Sequence, residues 1–123
     1  EKKIFKILNY YKNKNFIFII ISNQSGIGRK YFTFKKVVQF NNKLLEKFLK
    51  KNIRIIDIYF CPHKPSEQCK CRKPKTKMIN DSSFLWNIDK KKSLMIGDKL
   101  TDYQCSKKAR LKFFYKNELE KIF

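Results

Sequence analysis

The chain has 123 residues, 42% of them hydrophobic, and a formal net charge of +20, which suits one domain that buries roughly two thirds of the surface its unfolded chain exposes. Its longest uncharged apolar run, Phe16 to Ile21, is far shorter than the ~20 residues that span a bilayer, and the opening residues alternate charge and apolar character unlike a signal peptide. The charge comes from 26 Lys and only 4 Arg spread along the whole chain. Specific reading of nucleic acid favours Arg forks on one basic face, so non-specific attraction to polyanions at low salt is all that the charge supports.

Ile4, Phe5, Ile7, Leu8 and Tyr11 recur at helical spacing, so Lys2 to Asn13 reads as an amphipathic helix. Phe16 to Ile21 is apolar on both faces and β-branched, the pattern of a buried parallel strand. It ends in Ser22-Asn23-Gln24-Ser25-Gly26-Ile27-Gly28-Arg29. Small polar residues and glycines after a buried strand suit a phosphate site, because ligands of α/β proteins bind beyond the carboxyl ends of such strands. Polar loops after strands are also ordinary.

Phe34 to Lys51 reads as a second helix, with Thr33 as N-cap, Asn52 as its stop, and Val37, Val38, Leu44, Leu45, Phe48 and Leu49 as its apolar stripe. Ile53 to Phe60 reads as a second buried strand. It delivers the chain into Cys61-Pro62-His63 and Cys69-Lys70-Cys71-Arg72-Lys73-Pro74. Three of the four cysteines and the only histidine fall within these residues, spaced C-x-H-x5-C-x-C. Thiolates and a neutral imidazole are the ligands zinc prefers, and four of them close a tetrahedral structural site. Ligands one residue apart face the same side of an extended segment, so each pair supplies half a site. The alternatives are reduced thiols in a loop, or disulfides. C-x-C is too short to bridge easily, and three clustered cysteines leave one over. Cysteines used as ligands fit a reducing cytoplasm.

Lys77 to Trp86 reads as a weak helix with Met78, Ile79, Phe84 and Leu85 inward, and Asn87 to Lys92 as a solvated turn. Ser93 to Ile96 is a third strand, ending in Gly97-Asp98-Lys99-Leu100-Thr101-Asp102. Two carboxylates four residues apart at a strand end come close if a turn or helix starts between them, and such hard oxygens suit Mg²⁺. An N-cap aspartate plus a surface aspartate explains the run equally well. Tyr103 to Arg110 reads as a helix, Leu111 to Tyr115 as a fourth strand, and Asn117 to Phe123 as a tail or interrupted helix. Cys105 reads as helix packing rather than a ligand. Alternating strands and helices predict an α/β fold with a doubly wound parallel sheet, carrying the Cys/His segment as an inserted zinc-binding loop.

Three motifs in this order, Ser22 to Thr33, Cys61 to Pro74 and Gly97 to Asp102, resemble the haloacid-dehalogenase-like phosphatases. Among these, the chain looks like the D-glycero-D-manno-heptose-1,7-bisphosphate 7-phosphatase family, with the histidinol-phosphate phosphatases as relatives that share the zinc loop. The resemblance implies a Mg²⁺-dependent hydrolase that removes the 7-phosphate of a heptose bisphosphate, in the synthesis of lipopolysaccharide core precursors. It implies that Ser22, Asn23 and Gln24 hold phosphate or substrate, that Lys73 neutralises phosphate and nucleophile, and that Arg72 contacts the sugar. Asp98 would ligate Mg²⁺ with Lys99 and Asp102 in support. Cys61, His63, Cys69 and Cys71 would bind a structural Zn²⁺. The implied partner is a small phosphorylated sugar, with no specific nucleic acid and no membrane, for a cytoplasmic monomer.

The family's first motif, D-x-D-G-[TV], supplies the nucleophile and the acid/base, and no such run occurs in these residues. Asp57 and Asp81 lack the strand-then-glycine context. The expectation is therefore a single domain over residues 1–123 without its first strand, inactive in this form. Two readings compete from other classes. One is a zinc-stabilised nucleic-acid-binding module, although the C-x2-4-C with H-x3-5-H spacing of zinc fingers is absent. The other is a non-catalytic remnant.

Overall fold

The structure, a computed structural model, describes residues 2–123. They group into two compact units, one running to Lys64 and including Phe123, the other Pro65–Ile122. Each holds a two-stranded parallel sheet. Among the described residues no helix is long and apolar enough to cross a membrane.

In the first unit α1 (Lys2–Lys12) precedes β1 (Phe18–Asn23), α2 (Phe34–Lys50) and β2 (Ile55–Cys61). The first strand starts two residues later than its apolar run predicts. Phe16 stays with α1 instead: its N–H donates to the Tyr11 carbonyl at 3.1 Å and its ring packs on that of Tyr11. β1 then runs on through Ser22 and Asn23, the residues of most chemical interest. All six of its residues are half-buried rather than buried, and among the described residues it pairs with β2 alone. One additional residue on β2 sets the register after Phe18, so that Ser22 stands beside Phe60 and Asn23 beside Cys61.

Thr33 caps α2 as its position predicts: its side chain accepts from the Lys36 N–H at 3.2 Å. The apolar stripe is only partly used. Val37 and Asn41 are buried, whereas Val38 and Leu49 are exposed. Asn52 ends the helix in the left-handed region, at φ 61°. Ile53, expected within the strand, is fully buried just before it, after the turn at Lys51 and Asn52.

The second unit opens with a 3-10 turn at Pro65–Glu67 and continues through α3 (Lys77–Leu85), a 3-10 turn at Lys90–Lys92, β3 (Leu94–Gly97), α4 (Leu100–Lys108), β4 (Lys112–Tyr115) and α5 (Lys116–Ile122). β3 pairs with β4 in parallel, Leu94 beside Lys112 and Gly97 beside Tyr115. In α3 the inward side is Met78, Ile79 and Ser82. Phe84 and Leu85, expected inward, are instead 90% and 63% exposed. At roughly 100° per residue Phe84 projects opposite to that face, and Leu85 lies at its margin in the last turn. The inner position that an apolar residue would take belongs to Ser82, whose hydroxyl donates to the Ile79 carbonyl. Helix α4 begins three residues earlier than the sequence suggests, at Leu100, which puts Asp102 in its first turn. The end of the chain is helical rather than a tail.

Candidate phosphate and metal sites

At the end of β1 the side chains of Ser22 and Gln24 lock together, the Gln24 amide donating to the Ser22 hydroxyl at 3.0 Å. The loop beyond is tied to the residues that follow β2. The Gln24 N–H donates to the Cys61 carbonyl at 2.7 Å and the Gly28 N–H to the Pro62 carbonyl at 2.8 Å. Gly26 is buried for a steric reason: a Cβ there would lie 2.1 Å from the ring of Phe32. At Gly26 the glycine signal therefore reports a ring packed on the backbone.

Cys61, His63, Cys69 and Cys71 come together as their spacing predicts. One ligand atom from each lies within 4.8 Å of all the others, and the Cys61 Sγ and His63 Nδ1 are 3.3 Å apart. Thiolates about 2.3 Å and an imidazole nitrogen about 2.0 Å from one Zn²⁺ would stand roughly 3.5–3.8 Å from each other. The four atoms are close enough together, and of the right chemistry, to fit one Zn²⁺. No disulfide joins these cysteines or Cys105. Cys105 is 1% exposed on α4 and outside the cluster. Burial raises its thiol pKa; Lys73 opposes this and Asp102 reinforces it.

The exit of this loop leads to the carboxylate motif that follows β3. The Lys73 ammonium lies 2.6 Å from Asp102 Oδ1, with both side chains nearly buried. Asp102 Oδ2 accepts from the backbone N–H groups of Asp98 and Lys99, at 3.2 and 3.1 Å. Both carboxylate oxygens are therefore committed within the protein. Burial would raise the Asp102 pKa, but the hydrogen bond and charge of Lys73, with the two backbone donors, together hold it below the ordinary carboxylate value. Gly97 leaves room for this carboxylate, since a Cβ there would sit 2.5 Å from that of Asp102. Asp98 and Lys99 are exposed at the end of β3. Mg²⁺ usually takes one or two carboxylates and completes its shell with water and substrate phosphate, and Asp98 alone offers that kind of ligand here.

Two contacts give no sign in the sequence. The Lys75 ammonium donates to the Cys69 carbonyl, and the Cys105 thiol donates to the Lys75 carbonyl at 3.3 Å. Both hold the segment that carries Arg72 and Lys73. Of the other carboxylates, Asp57 accepts from the N–H of its neighbour Ile58 and Asp81 pairs with Lys77 on exposed helix surface.

A family model described as polynucleotide kinase 3 phosphatase matches residues 1–116. A D-glycero-beta-D-manno-heptose-1,7-bisphosphate 7-phosphatase of Helicobacter pylori is 39% identical over 113 residues, 91% of this chain and 65% of that protein. The histidine biosynthesis bifunctional protein HisB of Blochmanniella floridana is 41% identical over 95 residues, 76% of this chain and 26% of that protein. The chain spans about three fifths of the length of the curated heptose bisphosphate phosphatases it matches. A solved D,D-heptose 1.7-bisphosphate phosphatase from B. bronchiseptica, complexed with magnesium and phosphate, superposes with TM-score 0.80 at 24% identity, covering 89% of this chain and 61% of that one. That likeness shows the fold, α/β with parallel strands.

Proposed function

We propose, from the premise that the chain belongs to the polynucleotide kinase 3 phosphatase family, that it is the greater part of a phosphoric monoester hydrolase. In this reading it removes the 7-phosphate of D-glycero-D-manno-heptose 1,7-bisphosphate. The observation that carries the proposal is Lys73 held 2.6 Å from a buried Asp102 whose other oxygen fixes the backbone of Asp98. Phosphoryl transfer needs placed charge around the equatorial oxygens more than elaborate covalent machinery.

In the proposed reaction a carboxylate attacks phosphorus, the bond from phosphorus to the sugar oxygen breaks, and the sugar leaves as its alcohol once protonated. Water then cleaves the aspartyl phosphate to orthophosphate and regenerates the carboxylate. The D-x-D-G-[TV] run that would supply nucleophile and acid does not occur in these residues, so both are assigned to a strand outside them. Residues 1–123 are read as one doubly wound domain completed by that strand. Ser22 and Asn23 hold the phosphoryl group, Arg72 contacts the sugar, and Lys73 supplies fixed positive charge. Asp98 would hold Mg²⁺, which when bound offsets the repulsion between an anionic nucleophile and an anionic phosphate. Cys61, His63, Cys69 and Cys71 would hold a structural Zn²⁺ that fixes the loop presenting Arg72 and Lys73. The protein is further proposed to act as a cytoplasmic monomer on a free sugar phosphate.

The resemblance to the histidinol-phosphate phosphatases, beside the match to a histidine biosynthesis protein, makes histidinol phosphate the second substrate to consider. The test assays residues 1–123 beside a version extended upstream through a D-x-D-G-T strand, comparing kcat/KM for the heptose bisphosphate and histidinol phosphate. The extended protein should prefer the bisphosphate and lose activity on Asp98→Asn. The short chain should hydrolyse neither. A preference for histidinol phosphate refutes the substrate; Mg²⁺-dependent hydrolysis by the short chain refutes the placement of the nucleophile.

A further inference from the structure

Between the end of β1 and the first turn of α2 lies an open cavity of about 550 Å³, lined by Ile27, Lys30, Tyr31, Phe32, Thr33 and Lys36. Its walls are built rather than incidental. The ring of Phe32 sits where a side chain on Gly26 would otherwise be. The Tyr31 N–H donates to the Gly26 carbonyl at 2.8 Å, the Arg29 N–H donates to the Ser25 carbonyl at 2.9 Å, and Thr33 is fixed as the cap of α2. Tyr31 remains 75% exposed beside this wall. Lys30 holds φ 62°, the left-handed region, which a side-chain-bearing residue enters at a cost of about 1 kcal/mol or more and which persists where the surroundings impose it. Neither Lys30 nor Lys36 forms an ion pair among the described residues.

An apolar, aromatic wall with two unneutralised ammonium groups suits a ligand that presents C–H faces and an anion together. Ser22 lies five residues from Ile27, so the cavity is within about 17 Å of it even if the loop were fully extended. We propose that this cavity binds the non-reacting end of the substrate, the sugar face on Tyr31 and Phe32 and a second phosphate on Lys30 and Lys36. The inference deepens the function proposed above and rests on it for the identity of the reacting phosphate. Lys30 and Lys36 then set specificity for a bisphosphate over a monophosphate, and they leave the bond-breaking step alone.

The test titrates the chain calorimetrically with α-D-mannose 1-phosphate, methyl α-D-mannoside, inorganic phosphate and adenosine 3′-monophosphate. The sugar phosphate should bind more tightly than the other three. Lys36→Gln and Lys30→Gly should each weaken it about fivefold, the scale of one partly exposed charge contact. Lys30→Gly should do so without loss of stability, since glycine relaxes the left-handed backbone; this separates a lost contact from a damaged loop. In the full protein that carries this chain, the same variants should raise KM for the bisphosphate with kcat unchanged, the mark of lost uniform binding. They should leave turnover of p-nitrophenyl phosphate as it was. Unaltered sugar phosphate affinity in both variants, or tighter binding of the nucleotide, overturns the inference. A failure of the functional reading shows separately, as a wild-type protein that binds the sugar phosphate but does not hydrolyse the bisphosphate.

Discussion

Replacing Lys73 by Met would leave the buried Asp102 carboxylate without its cation while keeping the side-chain volume. Removing one partner of a buried pair costs about 3–5 kcal/mol when the other charge is stranded. Here Asp102 keeps two backbone donors on its second oxygen, so the expected loss is nearer 2–3 kcal/mol at pH 7, a large part of a marginal stability. The pH dependence identifies the cause. In the wild type the Asp102 pKa is lowered, so its contribution is present above the ordinary carboxylate value and disappears as pH falls through the depressed one. Lys73→Met deletes the strongest lowering influences and leaves burial, so the carboxyl protonates at a higher pH and its stranding is relieved. The deficit of the variant should therefore shrink between pH 7 and about pH 4. Urea unfolding of the wild type, Lys73→Met, Asp102→Asn and the double variant at both pH values measures this as a cycle. A deficit under about 0.5 kcal/mol, or one that is the same at both pH values, would refute the claim that the pair is buried and coupled.

Gly26→Ala should cost about 1–3 kcal/mol, because the new methyl group meets the Phe32 ring at 2.1 Å. The cost should largely vanish in a Phe32→Ala background, and a cost that persists there would point to the backbone instead. Protein purified without added metal should carry one Zn²⁺ per chain by elemental analysis. Cys61→Ala should abolish it and open residues 62–74 to proteolysis; a native chain with no zinc would remove the metal from the account.

Much of this structure follows from local signals. Thr33 before an apolar repeat gives α2, and the Cys/His cluster is written in the spacing of four residues. What stays hidden depends on partners distant in sequence. Lys73 and Asp102 are 29 residues apart, and nothing near Asp102 reveals that both its oxygens are engaged. The start of α4 is missed because its N-cap position falls on Lys99 rather than on Asp98 or Thr101, the residues of capping type beside it; the cap comes from Asp102 reaching back to the N–H of Lys99. Phe84 misleads because hydrophobicity alone assigns it inward, while the angle from Met78, Ile79 and Ser82 turns it to solvent. The parallel strands expected from alternating elements are observed as two parallel pairs, in keeping with a doubly wound sheet read without its first strand.

The segment between Cys61 and Lys73 explains why the proposed function would call for a structural metal. Its entry is held through the Cys61 and Pro62 carbonyls, and its exit through Lys75, Cys105 and the ion pair of Lys73. Five such bonds supply about 5 kcal/mol together. Ordering the backbone of the ten or so residues between them costs about 10–20 kcal/mol. Hydrogen bonds at the ends therefore do not suffice, and the loop has no run of buried apolar residues to make up the difference: Cys61 alone is buried. A structural Zn²⁺ contributes about 10–16 kcal/mol of binding free energy, which closes the gap to within a few kcal/mol. On this argument the metal acts on catalysis only through geometry. Zinc removal should scatter Arg72 and Lys73 and lower kcat/KM for the bisphosphate. Because Lys73 also holds Asp102, and through it the backbone of Asp98, the loss should fall on kcat as well as on KM.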